Sequence, residues 1–253
     1  MGDIHGSVMP YAYFHGSQNC DPDRLRQSVE NSRRAAQFRV NPTRDDVDSL
    51  IFLHRKVVLS RWLAELASGM TVLDVGGRIQ PYRSLIELKT RTYISLDRQL
   101  EGIVDVVGDA ARLPIASDSV DLVLCTDTLQ YVPDAAAAVE EMRRVLRTGG
   151  TLLLSTRGAY PEHHDELWRF LPGGLRHLAH RFSSVETVSE GGTGSGLMIA
   201  LNVLLHRNIK SPRLARMAAR TTVPLCNSLG LALDRVARDD SRLTCGISMR
   251  AIK

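Results

Sequence analysis

Apolar residues recur along this chain in short blocks separated by stretches with helical spacing. Val72-Leu73-Asp74-Val75, Tyr93-Ile94-Ser95-Leu96-Asp97, a block ending in Val106-Val107-Gly108-Asp109-Ala110, Val120-Asp121-Leu122-Val123-Leu124-Cys125 and Thr151-Leu152-Leu153-Leu154-Ser155-Thr156 read as strands. The fourth block is almost continuously apolar, the pattern of a strand buried on both faces of a parallel sheet. Ala135 to Leu146 carries apolar residues at helical spacing, and Thr148-Gly149-Gly150 stops it. Strands alternating with helices in this way predict an α/β fold with a doubly wound, mostly parallel sheet. Val185 to Val188 predicts a sixth strand and Leu243 to Arg250 its partner, with a long stretch between them. In that stretch Gly191 to Gly196 reads as a flexible hinge, and Leu197 to Leu205 and Val223 to Val236 as apolar helices. Before the first strand, Asp45 to Leu66 is amphipathic. Its stripe is Val47, Leu50, Ile51, Leu53, Val57, Val58, Trp62, Leu63 and Leu66. The predicted division is a helical cap over 1–68, a sheet domain over 69–190 and 241–253, and a helical insert over 191–240.

The turn after the first strand decides the ligand. Asp74-Val75-Gly76-Gly77 ends a strand in a carboxylate and a glycine turn, and Asp97 lies at the tip of the next strand. Open α/β sheets bind ligands at the carboxyl ends of their strands, and an acidic residue about 20 positions past the turn suits a ribose diol. The turn lacks the spaced glycines through which a backbone approaches a pyrophosphate, since Arg78, Ile79, Gln80 and Pro81 follow Gly77. Asp74 adds negative charge where phosphates would sit. A cationic, phosphate-free nucleoside fits, and S-adenosyl-L-methionine is such a ligand.

The ordered set resembles the class I S-adenosylmethionine-dependent methyltransferases, type 11 branch, with their Rossmann-like sheet. Its members are Asp74-Val75-Gly76-Gly77, Asp97, Gly108-Asp109-Ala110 with Leu113-Pro114, and Asp118 to Val123. Leu129-Gln130-Tyr131-Val132-Pro133 and Arg144 to Gly150 complete it over about residues 70–158. The resemblance implies that Asp74 lies near the methionine end of the cofactor and that Gly76 and Gly77 admit the nucleoside. It implies that Asp97 accepts from the ribose hydroxyls, Asp109 from the adenine amino group, and that the Ala110 N–H donates to a ring nitrogen. Arg78 and Gln80 stand where the branch usually has glycines, and Gln130-Tyr131 replaces its common Glu-His. The first departure is similar to a Gly-x-x-x-Pro-Tyr variant ending at Pro81-Tyr82. The second removes the His that the family places there.

Composition adds less. The formal charge is +4, but the basic residues are overwhelmingly Arg and only 5% of residues are aromatic. No basic cluster interleaves with aromatics, so nucleic acid is not an expected partner. Cys20, Cys125, Cys226 and Cys245 are scattered without a C-x-x-C pair, as free thiols of a reducing compartment would be. Met1 to Asn19 has no secretory pattern, and a cytoplasmic protein is expected.

The acceptor side should follow the fifth strand. Tyr160-Pro161-Glu162-His163-His164-Asp165-Glu166-Leu167-Trp168-Arg169-Phe170 is rich in polar and aromatic groups and similar to a His-x-x-Asp-x-x-Arg-Phe-like segment of the same branch. His164 and His163 are the catalytic candidates, since imidazole titrates near neutral pH. Neighbouring helical residues point about 100° apart, so one of the two serves, and His164 is preferred beside Asp165. Tyr82, Tyr131, Tyr160 and Arg169 are candidate substrate contacts, Tyr131 or Tyr160 the next candidate bases, and no metal site is expected. Arg213, Arg216 and Arg220 share a helical face that is either solvated or meets a lipid headgroup or substrate phosphate. The expected activity is methyl transfer, with O-methylation foremost, to a small-molecule natural product or a saccharide or glycolipid. The insert is a candidate homodimer face. The alternative is a binding or scaffolding protein that keeps the fold without catalysis.

Overall fold

The computed structural model describes residues 22–161, 165–207, 209–237 and 242–253. Helices α1 (Pro22–Val40) and α2 (Ser49–Glu65) precede β1 (Met70–Val75), β2 (Thr90–Asp97), β3 (Val106–Val107) and β4 (Val120–Thr126). Then come α3 (Ala135–Val145), β5 (Leu146–Arg157), α4 (Pro172–Leu178) and β6 (Ser184–Glu190). Helices α5 (Thr193–Arg207) and α6 (Pro212–Val236) lie between β6 and β7 (Gly246–Ile252). The seven strands form one sheet in the order β3-β2-β1-β4-β5-β7-β6. The β1–β2, β1–β4, β2–β3 and β4–β5 pairs are parallel, and β7 runs antiparallel between β5 and β6. Strand order reverses between β1 and β4, which places a ligand crevice at their carboxyl ends.

Period-two alternation sorts the apolar strand residues onto two faces. Leu73, Val75, Val123, Cys125, Leu152 and Leu154 join Val139 and Met142 of α3 in one core. Val72, Leu122, Leu124 and Leu153 point the other way, against Leu59, Trp62 and Leu63 of α2. A third cluster joins Leu50, Ile51 and Phe52 of α2 to Ile199 and Val203 of α5 and to Cys245. Helix α3 begins at an Asp134 cap, whose carboxylate accepts from the Ala137 amide at 2.9 Å.

Four expectations need correction. The third strand is two residues long, and the last begins at Gly246 rather than Leu243. The amphipathic stripe before β1 is displaced: Leu53 and Val57 are exposed, while Arg55 is fully buried between Ile51 and Leu59. The glycine run is not a hinge loop, because Thr193 already starts α5. Gly191 takes φ +83°, but Gly194 and Gly196 are there for close packing. A Cβ on Gly194 would lie 2.5 Å from the Leu233 Cβ, and one on Gly196 would lie 1.6 Å from the Leu243 carbonyl oxygen.

Candidate functional site

The candidate donor half of the site is built at the tips of β1 and β2. Past Val75 the chain turns at Gly76 with φ +78°, a conformation that favours glycine. The amides of Gly76 and Gly77 both donate to the Leu96 carbonyl, at 2.7 and 3.0 Å, fixing the turn to β2. A Cβ on Gly77 would come within 2.7 Å of the Asp74 carbonyl oxygen. Asp74 is buried and accepts from the Tyr93 hydroxyl at 2.7 Å. Burial, assisted by the negative charge of Asp97, raises its pKa to about 6 against the Tyr93 hydrogen bond. Asp97 is half-buried at the end of β2, accepts from the Gln99 amide at 3.2 Å, and is also raised by burial. Asp109 is exposed and turns its carboxylate to the Ala111 amide at 3.0 Å, while Ala110 is buried.

These residues can be tested against a cationic nucleoside. Among the described residues no Lys or Arg pairs with Asp74, and Arg78, the cation acting on Asp97, is bound to Glu101 at 3.0 Å. Two neighbouring carboxylates left short of positive charge at a glycine turn fit a ligand with an ammonium, a sulfonium and a ribose diol. Helix α1 closes this side. The Gly102 amide donates to Ser28 Oγ at 2.8 Å, and a Cβ on Gly102 would meet Ser32 Oγ at 2.4 Å.

Across β4, β5 and β6 the strand ends carry a different arrangement. Arg55 donates from Nε to Glu190 Oε1 at 2.9 Å, and its Nη1 lies 2.5 Å from Asp127 Oδ2. Asp127 follows β4 with φ +52°, and Glu190 ends β6. Burial works against the Asp127 charge, but Arg55, Arg157 and Arg39 hold its carboxyl well below the usual carboxylate range. Arg157, at the end of β5, lies over the Tyr160 ring at 4.3 Å and 3.5 Å from Glu166. The Tyr160 hydroxyl donates to Asp48, and Arg169 pairs with Glu166 while its Nε donates to the Tyr160 carbonyl at 3.3 Å. Sequence reasoning missed this network. The signal for it was a charged residue at the centre of an otherwise apolar helical stripe.

Tyr160 and Arg169 thus come together, lining a cleft of about 190 Å³ with Glu166, Leu167 and Trp168. The Gln130 carbonyl anchors this wall by accepting from the Leu167 and Trp168 amides at 2.8 and 3.2 Å. Tyr131 is half-buried in the turn after β4, near enough to act on the Arg157 charge. Tyr82 is placed differently: it is buried in the core beside Trp62 and Ile86, within the field of Arg55, Asp127 and Glu190. His163 and His164 lie outside the described residues. A larger cleft of about 400 Å³ sits at the amino ends of the parallel strands, bordered by Asp118, Arg144 and Lys253, away from both halves of the site.

Fold and candidate donor half together match the arrangement expected of the class I, S-adenosylmethionine-dependent methyltransferases. Residues 86–154 match a family described as a methyltransferase domain. It is 38% identical over 92 residues to the malonyl-[acyl-carrier protein] O-methyltransferase of Hahella chejuensis, covering 36% of this chain and 32% of that protein. It is 28% identical over 173 residues to the ubiquinone biosynthesis O-methyltransferase of Xanthomonas campestris pv. campestris, covering 66% and 68%. The chain therefore spans about a third of the first relative's length and about two thirds of the second's. A SAM-dependent methyltransferase from Archaeoglobus fulgidus shares the fold at TM-score 0.52 and 14% identity, covering 79% of this chain and 93% of that one. The [4+2]-cyclase SpnF shares it at TM-score 0.51 and 18% identity, covering 78% and 80%.

Proposed function

We propose that this protein transfers the methyl group of S-adenosylmethionine to a hydroxyl oxygen of a small-molecule natural product or a saccharide or glycolipid. The observation that carries the donor side is the carboxylate pair Asp74 and Asp97, undercompensated at the glycine turn. Two relatives named as O-methyltransferases support oxygen as the acceptor atom. When bound, the cofactor supplies a methyl already activated on a sulfonium, so positioning and exclusion of water carry much of the rate. In this reading Asp97 holds the ribose hydroxyls, Asp109 and Ala110 the adenine, and Asp74 the methionine end. Tyr160, Arg169 and Tyr131 bound the acceptor. His164, or His163 beside it, removes the hydroxyl proton. Tyr82, being buried, supports the wall behind the acceptor. The free Cys125, Cys226 and Cys245 support a cytoplasmic setting.

A second reading, S-adenosylmethionine binding without catalysis, draws on Gln130. This residue replaces a polar site residue of the family and is turned into the core, where it accepts from Thr156 Oγ1 at 3.0 Å.

Titration calorimetry with S-adenosylhomocysteine, followed by an acceptor screen reading methyl transfer, separates the two. Asp97→Ala should weaken the donor product by about 2–4 kcal/mol, the scale of lost charge-assisted hydrogen bonds. On a hydroxyl acceptor, replacing the true base among His163→Asn and His164→Asn should cost about 10²–10⁴ in kcat with donor affinity unchanged. Binding of NADH without heat from S-adenosylhomocysteine would sink the proposal. Tight donor binding with no turnover on any acceptor would favour the second reading.

A further inference from the structure

Gln80 stands where the type 11 branch usually has a glycine, yet it takes φ +48°, the left-handed conformation that glycine adopts without steric cost. Its side chain holds it there. Gln80 Nε2 donates to the Ile103 carbonyl, which also accepts from Ser95 Oγ at 2.7 Å, and Ser95 lies beside Asp74 in the β1–β2 register. Gln80 Oε1 accepts from Arg83 Nη1 at 2.8 Å. Arg83 is exposed, and its guanidinium carbon lies 4.9 Å from the centre of the Tyr93 ring. The Tyr93 hydroxyl gives its one proton to Asp74 Oδ2 at 2.7 Å. Gln80, Arg83, Tyr93 and Asp74 thus form one chain, running from the loop after β2 to a buried carboxylate at the glycine turn.

The groups facing Asp74 are Tyr93 and Asp97 from β2 and the Cys125 thiol from β4. Asp97 disfavours the Asp74 charge, and burial keeps Cys125 a neutral thiol. The Tyr93 hydrogen bond is what favours the carboxylate. Burial and the charge of Asp74 keep the phenol protonated, with Asp105 adding to them and Arg83 acting the other way, so Tyr93 stays a donor. A cation over an aromatic face draws electron density from the ring and makes its hydroxyl a stronger donor. An arginine paired directly with Asp74 would cancel the negative charge that an ammonium needs; one acting through Tyr93 does not. We propose that Gln80, Arg83 and Tyr93 are positioning residues that keep the Asp74 carboxylate charged and aimed for the ammonium of the donor. This rests on the reading of Asp74 as the residue at the methionine end of S-adenosylmethionine.

The test is calorimetric titration of the full chain with S-adenosylhomocysteine from pH 5 to pH 8, for wild type, Tyr93→Phe and Arg83→Met, with urea melts of the ligand-free proteins at the same pH values. A hydrogen bond to a buried charge corresponds to about one to two pH units. The fall in affinity on acidification should therefore begin that much higher in Tyr93→Phe, weakening binding by roughly 5- to 50-fold at pH 6 and by progressively less toward pH 8. Arg83→Met should move the profile the same way by about half a unit. Without ligand, the stability deficit of Tyr93→Phe should grow as pH rises through 6, because an ionised Asp74 then lacks its donor. An affinity loss equal at every pH, as a merely structural role would give, overturns the proposal. So does a Tyr93→Phe profile that does not move, or an Arg83→Met profile that matches wild type; Arg83 is exposed, so its replacement keeps the fold. Failure of the donor reading shows separately, as wild type that gives no heat with S-adenosylhomocysteine at any pH, and it overturns the relay as a donor device as well.

Discussion

Asp74→Asn should make the ligand-free protein more stable at neutral pH, although Asp74 belongs to the proposed donor site. Burial raises the Asp74 pKa from 3.8 to about 6, so the folded state holds this proton more tightly than the unfolded chain does. The stability tied to the proton is fully present below the unfolded value and is lost as pH rises through about 6. Two pKa units correspond to about 3 kcal/mol, which is the cost of ionising Asp74 in its burial site at pH 8. Asn carries no such charge, and its carbonyl oxygen still accepts from Tyr93. The advantage of the variant should therefore be small near pH 4 and grow to about 3 kcal/mol by pH 8. With a urea m-value near 2 kcal/mol/M, that is a midpoint shift of roughly 1.5 M. Donor binding should move oppositely. A cationic ligand draws Asp74 into its charged form, so wild-type affinity should fall below pH 6, while the variant binds weakly with little dependence on pH. Urea melts and calorimetry at unit steps from pH 4 to pH 8 read both. A stability difference that stays flat with pH would refute the reasoning, because burial of an ionisable Asp74 would then not be its cause.

Two further substitutions probe packing. Arg55→Met should cost about 3–5 kcal/mol in a denaturant melt, since it leaves Asp127 and Glu190 buried without their cation; a loss under 1 kcal/mol would mean that water or another cation already serves them. Gly196→Ala drives a Cβ to 1.6 Å from the Leu243 carbonyl oxygen and should lower thermal stability by about 3 kcal/mol or more, whereas Gly173→Ala in α4, with no atom within 4 Å, should be neutral or gain up to about 1 kcal/mol.

The sheet was legible because burial on two faces leaves a local trace. Leu122-Val123-Leu124-Cys125 needs only its own composition to be read as a central strand, and its alternate residues do reach the two cores. The donor turn was legible for a similar reason: Gly76 with positive φ and carboxylates at two strand tips are local features. What was not legible depends on partners far along the chain. Gly194 and Gly196 look like a linker by composition, but Leu233 and Leu243 make them necessary, and nothing near them in sequence says so. Arg55 reads as an ordinary helix charge until Glu190, 135 residues away, is placed against it. Its position between Ile51 and Leu59 was the available clue, masked by Leu53 and Val57, which widen the apparent stripe onto the exposed side. Tyr82 was read as facing the site because Pro81-Tyr82 follows the turn, whereas the short turn at Arg83–Leu85 carries it under α2.

The two halves of the site differ in electrostatic character, and that difference bears on the acceptor. On the donor side burial raises the pKa of both Asp74 and Asp97, the Asp97 charge raises Asp74 further, and Arg78 beside Asp97 is bound to Glu101, so the half prefers a positively charged ligand. On the acceptor side Arg39, Arg55, Arg157 and Arg169 face Asp48, Asp127, Glu166 and Glu190, and the charges balance. A buried balanced network adds little net stability compared with apolar packing, because desolvation consumes most of the Coulomb gain. What it does supply is position. Arg55 ties α2 to the ends of β4 and β6, and the Asp48–Tyr160 hydrogen bond carries that rigidity to the cleft wall. A phosphate or carboxylate entering this cleft would have to break Arg169 from Glu166 or Arg157 from its stacked place over Tyr160. A neutral hydroxyl acceptor asks for neither, needing only apolar contact with Leu167 and Trp168 and a nearby base. Charge balance at the strand ends therefore supports the proposal of a neutral hydroxyl acceptor.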